Sequence, residues 1–184
     1  MSKELETAKK IYRETKNTEV ANALLSVFGS KLVELKFNPD AIKWVDLGLP
    51  SGRLWASENV DGYYTYDQAV ELFGDYLPKG AAFAELIEEC KVEWNPNAKG
   101  LDVTGPNGNS IFLPACGYKE ERGCRAVGDQ GNYWSRMPYA NSESFAPYSQ
   151  AYARSLSFGS GNVSPLGLSY RSYGFSVRPS RELN

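Results

Sequence analysis

The side chains able to do chemistry are few. Histidine is absent from the 184 residues, which removes the commonest general base, the usual activator of Ser and Cys nucleophiles and the commonest zinc ligand. Cys90, Cys116 and Cys124 are the three cysteines. They form neither an even disulfide framework nor a Cys-x-x-Cys metal spacing, so they read as buried or incidental thiols. Lys119, Arg122 and Arg125 lie near two of them, but cation proximity alone does not make a thiol reactive. Glu93-Trp94-Asn95-Pro96-Asn97 reads as a turn, because a calcium ion takes six to eight oxygens, usually several of them carboxylates. The expectation is a chain that is not an enzyme and has no catalytic residue, no metal and no cofactor.

A different chemistry is concentrated near the end. Residues 129–173 hold ten Ser, six Tyr, four Gly and three Asn, no Lys, and only Asp129 and Glu143 as acids. Tyr offers broad amphipathic contact area with few rotatable bonds, while Ser, Gly and Asn add adaptable hydrogen bonds, the composition of a recognition surface. In Arg154-Ser155-Leu156-Ser157-Phe158-Gly159, period-2 alternation puts Leu156 and Phe158 on an inner face and Ser155, Ser157 and Gly159 outward. Flanking loops are expected to present Tyr139, Phe145, Tyr148 and Tyr152 on one side, and Leu166, Leu168, Tyr170 and Tyr173 on the other. Large apolar groups clustered on loops usually mark a binding patch.

These residues need a scaffold. Strands are predicted around Val92–Trp94, Leu101–Thr104, Ile111–Leu113, Asn132–Ser135, Ala153–Phe158 and Phe175–Arg178, with a turn at Gly105-Pro106-Asn107-Gly108. One helix opens at Thr65, whose Gln68 three residues on completes a capping box, with Ala69, Leu72 and Phe73 inward and Gly74 as its stop. A second carries Phe83, Leu86, Ile87 and Cys90 at i, i+3, i+4 and i+7, leaving Glu85, Glu88 and Glu89 as a solvated face. Residues 2–30 read as a helical hairpin or bent helix whose apolar stripe packs on the domain, joins copies of the chain or docks it to a larger assembly. The sum is an α+β layout, with a helical extension over 1–42 and one domain over 43–184.

Composition narrows the partners. A formal net charge of −2 gives no overall reason to bind a polyanion, so nucleic acid is not expected. No stretch approaches the roughly 20 apolar residues of a membrane span. Met1 to Lys10 is charged, unlike a secretory signal, so the expectation is synthesis in the cytoplasm without a signal peptide.

Four ordered segments then carry a resemblance. Trp44-Val45-Asp46-Leu47-Gly48-Leu49-Pro50-Ser51-Gly52-Arg53-Leu54-Trp55-Ala56, Gly105 through Ala115, Tyr133-Trp134-Ser135 and Gly174-Phe175-Ser176-Val177-Arg178-Pro179 resemble the paralogous C-type-lectin-like domain named after Fibrobacter and abundant in gut Bacteroidetes. The resemblance spans roughly residues 43–181. It implies a C-type-lectin-like fold, with two helices beside antiparallel sheets and long irregular loops. A subset of that family is similar to the variable proteins of diversity-generating retroelements, in which an error-prone copy of a template rewrites the 3′ end of the gene at adenines. Asn codons altered at their two adenines encode Tyr, Ser, Phe, Leu, Gly and Asn. Tyr139, Asn141, Ser142, Ser144, Phe145, Tyr148, Tyr152, Ser155, Ser157, Gly159, Ser164, Leu166, Gly167, Leu168, Tyr170 and Tyr173 pass that test, whereas Glu143 and Gln150 fail it.

The resemblance therefore implies a hypervariable ligand-binding region within 129–173, on a phage or bacterial surface adhesin that recognises a protein or glycan receptor on a cell surface. Placement in a phage virion or on a cell surface follows from the same reading. The alternative expectation is a structural module that forms a homo-oligomer, or attaches to a virion, through its N-terminal helices. The fold also resembles formylglycine-generating enzymes, whose cysteine chemistry would fall to Cys116 and Cys124 here.

Overall fold

The computed structural model describes residues 37–139 and 151–183. The chain divides into two units, Met1–Ala41 and Ile42–Asn184, and the second carries the fold. The helical hairpin expected over 2–30 lies outside the described residues.

Both expected helices form, and for the expected reasons. Helix α1, Tyr66–Phe73, is opened by the Thr65 side chain accepting from the Gln68 N–H while the Gln68 side chain accepts from the Thr65 N–H, which satisfies two otherwise orphaned donors. Gly74 ends it at φ +48°. Ala69 and Phe73 are buried, as is Tyr66, while Leu72 is half-buried. Helix α2, Gly80–Glu89, buries Phe83 and Leu86 and packs Ile87 and Cys90 against the core. Glu88 and Glu89 are exposed. Glu85 is not simply solvated, because its carboxylate accepts from the Ser51 N–H at 2.8 Å and the Ser51 hydroxyl at 2.6 Å.

The strands are mostly antiparallel. Lys91–Asn95 (β4), Gly100–Thr104 (β5) and Ser110–Pro114 (β6) form a meander. Alternation sets its inner face, where Leu101 pairs with Leu113 and Val103 with Ile111, all buried. These side chains meet Phe83 and Leu86 of α2, together with Leu47, Trp55, Tyr133, Leu156 and Phe158, in the main core, at roughly 1.5–3 kcal/mol per large buried side chain. Trp44–Asp46 (β1), Leu54–Ala56 (β2) and Ser180–Arg181 (β13) form a second sheet that brings the domain's start and end together. Tyr118–Glu120 (β7) and Gly123–Arg125 (β8) form a hairpin. The largest sheet runs β11-β10-β9-β12-β3, built from Asn162–Tyr170, Tyr152–Gly159, Gly131–Pro138, Phe175–Val177 and Val60–Tyr64 respectively. Within it only β9 and β12 pair parallel.

The four sequence segments singled out above converge on one buried cation. Arg178, 1% exposed, donates from Nη1 to the Ala56 carbonyl at 2.9 Å, from Nη2 to the Phe112 carbonyl at 2.7 Å and from Nε to Asn59 Oδ1 at 2.8 Å. Asn59 in turn donates to the Tyr133 hydroxyl at 3.1 Å, which donates to the Pro114 carbonyl at 2.7 Å. Burial pushes the guanidinium down to about 10, so it stays charged at neutral pH. The first two segments are clamped a second time. The Gly105–Gly108 turn closes with the Gly108 N–H on the Gly105 carbonyl at 3.0 Å, and the side-chain amides of Asn107 and Asn109 donate to the Asp46 carbonyl at 2.9 and 2.8 Å. Gly105 is required there, since a Cβ would come within 2.0 Å of the Leu47 carbonyl oxygen.

All six expected strands form, with Arg178 falling just past its strand. Strand β11 corrects the sequence reading, because Leu166, Leu168 and Tyr170 were expected on a loop and lie instead on a nine-residue strand. Pro165 and Gly167 imitate a loop signal. At a sheet edge a missing N–H costs no ladder bond, and the β10–β11 register shifts nearby, between Ser155 and Ser157. Among the described residues, no helix is long and apolar enough to cross a membrane.

Candidate ligand-binding face

The hairpin of β10 and β11 turns at Ser160-Gly161, with Gly159 opposite Asn162, Ser157 opposite Ser164 and Tyr152 opposite Tyr170. Leu156 and Phe158 are buried in the core as expected. Ser155 is not displayed. It is 0% exposed, and its hydroxyl lies 3.0 Å from that of Ser169 and 3.3 Å from that of Ser157. Ser157 is half-buried and donates to Asn132 Oδ1 at 3.0 Å, and Asn132 Nδ2 donates to the Gly117 carbonyl at 3.3 Å. The serines alternate as predicted, but this second face of the sheet is itself covered near Ser155, so its hydroxyls bond one another. Gly159 and Ser164 are half-buried. So is Gly167, where a Cβ would meet the Ser155 carbonyl oxygen and the Ser157 hydroxyl at 3.2 Å each.

Aromatic rings gather nearby. Tyr152 and Tyr170 have centroids 4.5 Å apart, Tyr170 and Tyr173 5.4 Å at 66°, and Tyr173 stacks on Tyr118 at 5.4 Å. Together with Asn132, Leu168, Ser169 and Phe175 they line a concavity of about 240 Å³. Tyr173 also borders a second concavity of about 470 Å³, where Glu120, Glu121, Arg122 and Arg125 of the β7–β8 hairpin bring balanced charge. Four predicted contact residues, Tyr152, Leu168, Tyr170 and Tyr173, therefore gather here. The other described ones lie elsewhere. Leu166 reaches toward the start of α2, its Cδ2 2.6 Å from where a Cβ on Gly80 would lie. Tyr139 is half-buried with the Arg154 guanidinium 5.2 Å from its ring centroid. Asn141, Ser142, Ser144, Phe145 and Tyr148 lie outside the described residues.

Sequence reasoning missed Tyr118, Asn132, Ser169 and Phe175. Ser169 alternates with Leu168 and Tyr170, so reading β11 as a strand would have placed it beside Ser155. Asn132 and Phe175 read only as strand residues, and Tyr118 reaches the site through pairings distant in sequence: Gly117 with Gly131 and Lys119 with Gly174.

The run from Glu93 to Asn97 has a structural duty. The Asn95 side chain accepts from the N–H groups of Asn97 and Ala98 and donates to Asp102 at 2.9 Å, so this run is the β4–β5 turn. Among the described residues, no group of three or more His, Cys, Asp or Glu is arranged to hold a metal ion. The three cysteines are free. Burial, then Glu85 and Glu89, pushes Cys90 up to about 11, which leaves it a poor nucleophile at neutral pH. Tyr63 lies against Cys116 and Cys124, donating to the Cys116 carbonyl at 2.5 Å. Its phenol is raised to about 12 by burial first and then by Cys124, so it cannot serve as a base for either thiol at neutral pH. A larger hollow of about 610 Å³ lies beside the chain end, but Arg53 and Glu182 in its wall already pair at 2.5 Å, and Asp75 pairs with Arg136. No family model, curated protein or solved structure matches this chain.

Proposed function

We propose that the chain is a C-type-lectin-like recognition module, of the kind that diversity-generating retroelements vary, acting as a phage or bacterial surface adhesin. It binds a receptor and makes or breaks no bond. The observation that carries this reading is the contrast between buried residues of the lectin-like segments and the exposed large residues of β11. Residues of the lectin-like segments, Trp55, Tyr133, Trp134 and Arg178, are at most 1% exposed. Leu166, Leu168 and Tyr170, from the segment read as variable, are 39%, 46% and 45% exposed, and Tyr170 joins Tyr152 and Tyr173 around a concavity. Rigid tyrosines on a stable framework give contact area at small entropic cost.

Binding of the labelled chain to receptor-bearing bacterial cells tests the reading, with Tyr152→Ala, Tyr170→Ala and Tyr173→Ala combined. A hot-spot tyrosine contributes about 1–3 kcal/mol, so the combined variant is expected to lose at least tenfold in affinity while remaining folded. Undiminished binding by the folded variant contradicts the reading. A near-identical repeat carrying adenines at these codons, beside a reverse-transcriptase gene, is the expected genomic counterpart.

A further inference from the structure

A second group of charged side chains lies outside residues 129–173. The hollow of about 610 Å³ beside β13 is walled by Arg53, Lys79 and Arg181 and by the acids Asp75 and Glu182. It shares no residue with the two concavities that Tyr173 borders. We propose that this hollow is a separate binding site, which takes a small organic carboxylate with an apolar body. Its wall lies outside the segment read as variable, so the site stays the same whatever that segment presents.

Charge comes first. Glu182 already holds Arg53, at 2.5 Å, and Asp75 holds Arg136. Lys79 and Arg181 pair with no acid among the described residues, so the wall keeps two uncompensated positive charges, which favour an anion. Lys79 is also the N-cap of α2, and its side chain caps no N–H there. A helix start carries partial positive charge and prefers an acid or a hydroxyl, so a lysine at that place adds like charge to like, which a bound anion relieves.

The cations are also held in place. The Arg181 guanidinium lies over the Trp44 ring, 4.8 Å from its centroid, and Trp44 stacks in turn on Tyr76 at 6.0 Å and 27°. A guanidinium lying over a ring keeps its N–H groups at the edge for a planar head with two oxygens, the shape of a carboxylate. Arg53, 8% exposed, spends Nη1 on the Ser180 hydroxyl at 3.1 Å and Nη2 on Glu182, two of a guanidinium's five N–H groups, so the buried part of the wall retains donors. Tyr76, Leu77 and Leu183 supply an apolar side, and Leu183 is 60% exposed. A bare inorganic ion would leave that side wet, whereas a neutral apolar molecule would strip water from the cations without a counter-charge. The volume falls within the roughly 300–1,000 Å³ of pockets that take small organic ligands.

The test is titration of the whole chain with benzoate and octanoate, read through the backbone amide NMR signals of Lys79 and Arg181 and the indole N–H of Trp44. At least one carboxylate is expected to shift all three, with millimolar or tighter affinity. Benzamide keeps the ring without the charge and acetate keeps the head without the body, so each is expected to bind at least about tenfold more weakly. Arg181→Gln and Lys79→Gln should each weaken the tighter carboxylate at least about threefold, and together at least about tenfold. If Arg181→Gln fails to fold, the exposed Lys79→Gln decides alone. The chain combining Tyr152→Ala, Tyr170→Ala and Tyr173→Ala is expected to bind the carboxylate unchanged. No shift with either carboxylate, equal binding of benzamide or acetate, indifference to Lys79→Gln, or loss of binding in the tyrosine variant overturns the proposal. None of these outcomes touches the recognition reading, which is tested on cells.

Discussion

Replacing Arg178 with Met is expected to destabilise the domain by about 3–5 kcal/mol, the scale for breaking a buried charged network. Three acceptors lose their donor at once: the Ala56 and Phe112 carbonyls and the Asn59 carboxamide oxygen. Each buried acceptor left unsatisfied costs about 1–3 kcal/mol, partly offset because the cation no longer has to be desolvated. Against a typical total of about 5–15 kcal/mol, such a loss leaves the fold marginal. Arg178→Lys keeps the charge, but its compact ammonium cannot span three diverging acceptors. It is expected to recover less than half of the loss. Urea unfolding of the two variants checks this, and a shift below about 1 kcal/mol for Arg178→Met would show that the network is not what joins the four segments.

Trp134→Ala is expected to cost a comparable amount, about 3–5 kcal/mol, through the cavity left in the core. The indole stacks on Phe175 at 4.3 Å, meets Tyr66 edge-on at 5.6 Å and donates to the Tyr64 carbonyl at 2.7 Å. It thereby joins the sheet's second face to α1. Trp134→Phe keeps an aromatic ring against Phe175 and loses the donor, so about 1–2 kcal/mol is expected from the missing hydrogen bond and reduced volume. Thermal unfolding distinguishes the pair. Equal effects from Ala and Phe would place the energy in the hydrogen bond rather than in packing.

The parts of this fold that were legible in the sequence are those whose cause is local. The Thr65/Gln68 box, the Gly105–Gly108 turn and the apolar alternation of Leu156 and Phe158 each act within a few residues, and each appears where expected. Strands β1, β2 and β13 span only two or three residues, and β2 is buried throughout, so no alternation announces them. Their pairing is a tertiary effect. Strand β11 was hidden by Pro165 and Gly167, residues that an edge position tolerates and a central one does not. The candidate site divides the same way. Tyr152, Leu168, Tyr170 and Tyr173 were visible from composition and codon type, whereas Tyr118 enters only through pairings far from it in the chain. Ser155 was assigned the correct alternation and the wrong surroundings, because period 2 fixes which face a side chain occupies but not whether another layer covers it.

The framework is expected to hold its shape whatever side chains β11 presents. Leu166, Leu168 and Tyr170 are the exposed large residues of β11, and the most direct measurement is the thermal unfolding of a chain with all three replaced by Ser. Exposed positions usually change stability by only a few tenths of a kcal/mol each, so Tm is expected to fall by no more than about 5 °C with a single sharp transition retained. A fall beyond about 15 °C, or loss of the cooperative transition, would mean that these residues hold the domain together, and a surface free to vary could not be built on them.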